Sequence, residues 1–225
     1  MSRLKVAVIV PAYNEESRIA EVLEAVKGSQ LASEVIVVSD GSIDNTVPIA
    51  RAIPGVRVLD LPFNMGKGGA MAAGVAGTQA DIIAFVDADL RGLRGDHVDQ
   101  IIQPLLDHRC DMCIGIFRGG EFWSDTAQRI SPYISGQRAM KRKLFESIPF
   151  LTEVRMGVEV TINYHARRQK ARILRVVLHG VSNTHKEQKL GFVRGAKARA
   201  QMYAEIGRAV VKTRRRRARR SGWYR

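Results

Sequence analysis

The stretch ADIIAFVDADL, residues 80–90, carries Ile82, Ile83, Phe85 and Val86 almost without interruption and then ends on two carboxylates, Asp87 and Asp89. A short apolar run bounded by polar residues reads as a strand buried on both faces, the condition of a parallel sheet covered by helices. The same pattern recurs upstream. KVAVIVPAY (5–13) and SEVIVVSDGS (33–42) are β-rich runs that end in polar turn residues, and GVRVLDLP (55–62) is a shorter third. Between them, SRIAEVLEAVK (17–27) places Ile19, Val22, Leu23 and Val26 at helical spacing. DNTVPIARAI (44–53) reads as a helix with Pro48 near its start, and NMGKGGAMAAGVAGT (64–78) as a glycine-rich turn entering a small-residue helix. This β-α-β-α-β-α-β order predicts an α/β fold, a mostly parallel sheet with helices on both faces. In such sheets ligands bind at the carboxyl ends of strands. Each strand here ends in polar residues there: Asn14 and Glu15, then Asp40, then Asp87 and Asp89.

Further along, HVDQIIQPLLDH (97–108) reads as a helix and CDMCIGIF (110–117) as a strand. SGQRAMKRKLFESI (135–148) and VEVTINYHARRQ (158–169) look helical, and RILRVVLHGV (172–181) is a late strand, with His179 on its apolar run. A final helix is expected over about 192–212, with Met202, Ile206 and Val210 near one face. The two cysteines have C-x-x-C spacing, but on a strand residues three apart face opposite sides, so Cys110 and Cys113 read as packed residues rather than a redox pair.

The net charge of +14 is unevenly distributed. Residues 194–225 hold 12 Lys/Arg against the single acid Glu205, which is +11 of that total. The expected organisation is one domain over 1–190, then an amphipathic helix and basic tail over 191–225. No run approaches the roughly 18 uncharged apolar residues needed to span a bilayer, and MSRLKVAVIVPAYNEE enters a polar turn too early for a signal peptide. The expected location is cytoplasmic.

On a strand Asp87 and Asp89 point the same way, so two repelling carboxylates need a positive partner. A hard divalent cation such as Mg2+ or Mn2+, carrying a nucleotide diphosphate, would supply it. The alternative is that the aspartates cap the next segment or pair with Arg91 and Arg94.

VIVPAYNEE, VIVVSDGSIDNT, NMGKGGAMAAGV and FVDADL, in this order and at these separations, resemble the family 2 glycosyltransferases of GT-A fold. The resemblance covers residues 5–117 well and the remainder weakly. It implies a single Rossmann-like domain and a nucleotide-sugar donor. By the family pattern, Pro11, Ala12, Tyr13 and Glu15 would line the nucleotide pocket, and Ser39-Asp40, where many relatives carry two aspartates, would reach the base or ribose. Lys67 in GKGGA would lie near the nucleotide, and the sequence lacks the G-x-x-x-x-G-K-[ST] of a P-loop. Asp87, with Ala88, would meet the donor and Asp89 the cation. A later histidine often completes the metal site, for which His185 is the candidate, with Lys186 and Lys189 beside the diphosphate. Glu159 in MGVEVTIN would face the acceptor as general base, unless the acceptor is already a phosphate and Glu159 only positions groups. Arg138 in SGQRA would bind an anionic acceptor.

The expected reaction is transfer of a sugar from a nucleotide-diphosphate sugar to a phosphorylated acceptor. The arginine-rich tail, with Trp223 and Tyr224, suits an anionic membrane surface and hence a polyprenyl phosphate. A soluble acceptor such as 3-phosphoglycerate is the second expectation, because NMGKGGA and GVEV also resemble the glucosyl- and mannosyl-phosphoglycerate synthases. A non-catalytic nucleotide-sugar-binding module with a basic interaction tail is the third. Nucleic acid is not expected as a partner: the main domain shows no aromatic stacking motif.

Overall fold

The computed structural model describes residues 4–118, 136–149, 151–153 and 157–183. The elements run β1 Val6–Ala12, α1 Ile19–Lys27, β2 Glu34–Ser39, α2 Thr46–Arg51, β3 Val56–Asp60, α3 Lys67–Ala76 and β4 Ile82–Phe85. They continue with β5 Leu90–Arg91, α4 Gly95–Leu106, β6 Met112–Arg118, β7 Arg138–Lys141, α5 Arg142–Glu146, α6 Val158–Arg168, β8 Ile173–His179 and β9 Ser182–Asn183. A short 3-10 turn, Leu151–Glu153, precedes α6. Seven strands form one sheet in the order β3-β2-β1-β4-β7-β6-β8, and β5 pairs with β9 apart from it. All pairings in the large sheet are parallel except those of β7, which is antiparallel to both β4 and β6.

Alternation along the central strands divides the core in two. Val6, Val8, Val10 and Ala12 of β1 pack with Ile19, Val22, Leu23 and Val26 of α1 and with Val98, Ile101 and Leu105 of α4. Ala7 and Ile9 point the other way, onto Ala70, Met71 and Val75 of α3 and Val158, Ile162 and Ala166 of α6. Burying each such side chain is worth about 1.5–3 kcal/mol, so both faces must be covered for the strands to be stable. β4 follows the same rule. Ile82 and Ala84 face the first core, while Ile83 and Phe85 face the second. Position 87, two residues beyond Phe85, therefore falls toward the face carrying α3 and α6.

Two expectations change here. The segment expected to be one helix over 135–148 is instead strand β7 followed by the short helix α5. β7 fits between β4 and β6, pairing Phe85 with Arg138 and Met112 with Met140, and this pairing overrides the helix preference of Ala-Met-Lys. Arg142, the first residue of α5, then donates Nη2 to the Val75 carbonyl at 3.1 Å and Nη1 to the Thr78 carbonyl, satisfying the end of α3. The cysteines are packed residues as expected, although only Cys113 lies on the strand. Cys110 lies just before β6 rather than within it. Both are buried free thiols. His179, read as a core residue, is exposed.

At the opposite end of the sheet from the strand tips just described, Asp111 ties three strands together. Its carboxylate accepts from Lys141 Nζ at 2.7 Å, from the Arg172 backbone N at 2.9 Å and from Arg172 Nε at 3.3 Å. These donors hold its carboxyl well below the ordinary carboxylate range, the Arg172 side chain contributing most and partial burial opposing it. A depressed folded pKa stabilises the fold above the unfolded value of 3.8 and loses that contribution as the pH falls below it. Thermal melts of Asp111→Asn should therefore lie below wild type at neutral pH, by about 1 kcal/mol given the exposed partners, and the gap should narrow steadily as the pH falls below 4. A gap that persists undiminished at pH 2 would refute the linkage.

Candidate active site

Asp87 lies two residues beyond the carboxyl end of β4, and three elements converge on it. Lys67 is the first residue of α3, and its Nζ lies 2.6 Å from Asp87 Oδ1. Glu159 is in the first turn of α6, and its Oε1 lies 2.5 Å from the same Nζ. Gln137, from the segment entering β7, donates Nε2 to Asp87 Oδ2 at 2.9 Å. The positive charge beside Asp87 is thus an ammonium from α3. Neither Arg91 nor Arg94 supplies it: Arg91 is exposed on β5, and Arg94 pairs with Asp96 at 2.8 Å.

Sequence dictates this convergence. α3 and α6 pack on the second face because their apolar residues do, and both begin at the carboxyl end of the sheet. Gly157, at φ 75°, starts α6 in a left-handed turn that glycine adopts without strain. An acidic residue in the first turn of a helix complements the positive end of its dipole, and Glu159 holds that place in α6. Gly136 permits the close approach of the segment entering β7. A Cβ there would lie 2.1 Å from Asp87 Oδ2.

Arg138 closes the cluster from beneath. It is wholly buried, and its Nη1 donates to Asn163 Oδ1 at 3.2 Å and, at 3.5 Å, to the backbone carbonyl of Glu159. Burial pushes its guanidinium below its ordinary pKa, against the opposing pull of Glu159 and Asp87. Burial would likewise discharge Lys67, but the two carboxylates win and hold its ammonium well above the ordinary lysine value. Asp87 is held below the usual carboxylate range: burial disfavours its charge, and Lys67 outweighs that, with help from Gln137. Two anions and two cations are therefore packed together at the sheet's carboxyl end.

The loops after β1 and β2 are laced into one wall beside this cluster. Asn14, at φ 53°, accepts from Ile43 N through Oδ1 at 2.9 Å and donates its own N to Ser42 Oγ at 3.2 Å. Glu15 N donates to Thr46 Oγ1 at 2.8 Å, and Glu16 N to Asp44 Oδ2 at 3.1 Å. Tyr13, Ile43 and Phe63, on the loops after β1, β2 and β3, are exposed at this rim.

A model of the family described as Glycosyl transferase family 2 matches residues 7–165. The chain belongs to glycosyl transferase family 2. Among curated members it is 42% identical over 94 residues to dolichyl-phosphate beta-glucosyltransferase of Trichomonas vaginalis, covering 36% of this chain and 28% of that protein. It is 40% identical over 100 residues to 4,4'-diaponeurosporenoate glycosyltransferase of Staphylococcus aureus, covering 42% and 26%. The matched part thus spans little more than a quarter of these relatives' length. Solved structures of glucosyl-3-phosphoglycerate synthase from Mycobacterium tuberculosis share the fold. The complex with phosphoglyceric acid has a TM-score of 0.73 at 24% identity, covering 91% of this chain and 80% of that one. The complex with Mn2+, UDP and glucosyl-3-phosphoglycerate has a TM-score of 0.70 at 25% identity with the same coverage. The GT-A, Rossmann-like architecture expected from the motifs is the one observed.

Within this family 2 domain the residues singled out from sequence fall into three groups. Lys67, Asp87 and Glu159 come together, and Asp89 follows two residues after Asp87. Others have different surroundings from those expected. Ser39 is wholly buried and its Oγ accepts from Ser42 N at 3.3 Å, so it presents no surface to a base. Asp40 is 4% exposed, and its oxygens accept from Met65 N at 2.6 Å and Gly66 N at 2.9 Å, fixing the turn that launches Lys67. Arg138 is a buried anchor for α6 rather than a group at an accessible surface. Ala12 and Ala88 are buried, Pro11 is half-buried, and Tyr13 and Glu15 lie on the rim loop. His185, Lys186 and Lys189 lie outside the described residues, as do the helix expected over 192–212 and the arginine tail. Sequence reading did not single out Gln137 or Gly136. Only their position one strand away from Asp87 gives them a role, and no local pattern marks it.

Proposed function

We propose that the protein transfers a hexosyl group from a nucleotide-diphosphate sugar, with Mg2+ or Mn2+, to a phosphorylated acceptor, and that this acceptor is a polyprenyl phosphate. The observation that carries the reading is the ion-paired Asp87–Lys67–Glu159 cluster at the carboxyl end of a parallel sheet, two residues before Asp89. Solved structures of the same fold contain UDP with Mn2+ or Mg2+, which supports the donor class and the cation. The curated relative acting on dolichyl phosphate supports the acceptor.

The donor set suits such a cation. Asp87 accepts from Lys67 through one oxygen and from Gln137 through the other, and the metal role goes to Asp89, two residues on. Among the described residues no three His, Cys, Asp or Glu side chains form a metal cage. Asp89 would therefore hold the cation together with the donor's own phosphates, as hard cations are commonly held, with His185 the further candidate. When bound, the cation supplies charge stabilisation to the departing diphosphate.

The chain's own residues do the rest. Asp87 accepts a hydroxyl of the donor and fixes the anomeric carbon in reach of the acceptor. Lys67 offers its ammonium to the diphosphate as charge develops on it. With a phosphate as nucleophile no proton need be removed, and Glu159 positions groups. With a hydroxyl nucleophile, Glu159 takes the proton. The second reading, a soluble acceptor such as 3-phosphoglycerate, is favoured by the structural likeness over 91% of the chain. Residues 1–190 would form the transferase domain, and residues 191–225 a helix and basic tail that holds the enzyme at the cytoplasmic face of an anionic membrane. No helix among the described residues is long and apolar enough to cross a membrane.

Calorimetry with UDP-glucose in Mn2+ tests the donor site. Wild type should bind, chelator should abolish most of the binding, and Asp89→Ala should weaken it by about tenfold. Adding polyprenyl phosphate or 3-phosphoglycerate to the donor-loaded enzyme then separates the acceptors by which one releases UDP. Metal-independent binding equal in both proteins would remove Asp89 from the site.

A further inference from the structure

Lys67 contacts two carboxylates at once, although a single carboxylate would neutralise it. Asp87 belongs to the donor side of the cluster and Glu159 to α6, on the side assigned to the acceptor. The ammonium joins them at 2.6 Å and 2.5 Å. It is also the most accessible of the three groups, at 30% exposure against 16% for Asp87 and 10% for Glu159. A lysine is a point charge on a flexible four-carbon stem and can change partners. Arginine's planar fork is bound to a fixed geometry. Arg138 fits the second description, being wholly buried and bonded to Asn163 and to the Glu159 carbonyl.

We propose that Lys67 is a shared counter-ion whose ammonium neutralises Asp87 and Glu159 in the donor-free enzyme and is drawn away from Glu159 by a bound nucleoside diphosphate. This inference rests on the donor-site reading and adds to it a coupling between the two substrate sides. Arg138 eases the exchange: its buried guanidinium, bonded to the Glu159 carbonyl and to Asn163, attracts both carboxylates electrostatically, so positive charge remains near them when the lysine moves. The consequence is an order of events. Donor binding releases Glu159, and only then is that carboxylate available to the acceptor or its proton.

The test uses the full chain, UDP and Mn2+ in a calorimeter at pH 7. Because Glu159 competes with the diphosphate for the lysine, Glu159→Gln should bind UDP more tightly than wild type, by about threefold to tenfold. Lys67→Met should bind about tenfold more weakly, and adding Glu159→Gln to it should bring no tightening, since the lysine that carries the competition is gone. Thermal melts identify a Lys67→Met protein that has failed to fold, in which case Glu159→Gln alone decides. Unchanged or weaker UDP binding by Glu159→Gln, in a wild type that binds UDP, overturns the shared counter-ion and leaves the donor site standing. A wild type that binds none of UDP, GDP or dTDP with Mn2+ overturns the donor site and this inference with it.

Discussion

Asp87→Asn is expected to lower sugar transfer by about a thousandfold while leaving the fold intact. The substitution keeps the shape of the side chain and removes what the site uses. Asp87 accepts through both oxygens, Oδ1 from Lys67 and Oδ2 from Gln137. Asparagine has one acceptor oxygen and one amide nitrogen that can only donate. Turned one way it sets a donor against Lys67; turned the other it keeps its oxygen on Lys67 uncharged and obliges Gln137 to turn its own amide to accept. Lys67 retains Glu159, so the protein should stay folded with a melting temperature within a few degrees of wild type. Turnover should be measured with the acceptor that wild type uses, beside a melt of each protein. Activity within tenfold of wild type would show that the Asp87 charge is not part of the chemistry.

The pH dependence follows from the same contacts. Asp87, held below its ordinary 3.8, stabilises the fold above that value and loses this contribution as acid protonates it. Lys67, held above its ordinary 10.5, contributes below that value and loses it only as the pH rises through its elevated pKa. The pair stays ionised across the neutral range. Limbs in the activity profile between about pH 5 and 9 must therefore come from other groups or from the substrates.

Periodicity was enough to read the first half of the sheet. Continuous apolar strands such as residues 82–86 and helices with a clear stripe, as at Ile19, Val22, Leu23 and Val26, carry their burial in local order. β7 was not legible, because Arg-Ala-Met-Lys becomes a strand only where β4 and β6 offer backbone partners on both sides. The site divides along the same line. Asp87, Lys67 and Glu159 stand in recognisable motifs, whereas Gln137 gains its role from a strand pairing that spans 50 residues of sequence. Asp40 shows the reverse case. It stands in a recognisable motif, but the amides of Met65 and Gly66 take its oxygens, a long-range contact that no local pattern announces.

Gly136 tests how tightly the strand beside β4 is fitted to the chemistry. A Cβ at this position would meet Asp87 Oδ2 at 2.1 Å, Oδ1 at 2.4 Å and Cγ at 2.5 Å. The backbone at Gly136 is not in the left-handed region, so alanine could adopt it and the whole effect would be steric. Asp87 cannot swing aside without breaking with Lys67 or Gln137, and the segment cannot back away without pulling Gln137 and Arg138 with it. Relieving the overlap takes a shift of about 1 Å, and misplacements of that size cost on the order of a hundredfold in rate. Gly136→Ala should therefore lower turnover by at least that factor and cost about 1–3 kcal/mol of stability through overpacking. The clash needs the Asp87 carboxyl, so in an Asp87→Ala background the same glycine substitution should cost little further stability. That non-additivity is the signature of direct contact. If the two substitutions lower stability by independent amounts, Gly136 does not abut Asp87, and the placement of Gln137 against that carboxylate would have to be redrawn.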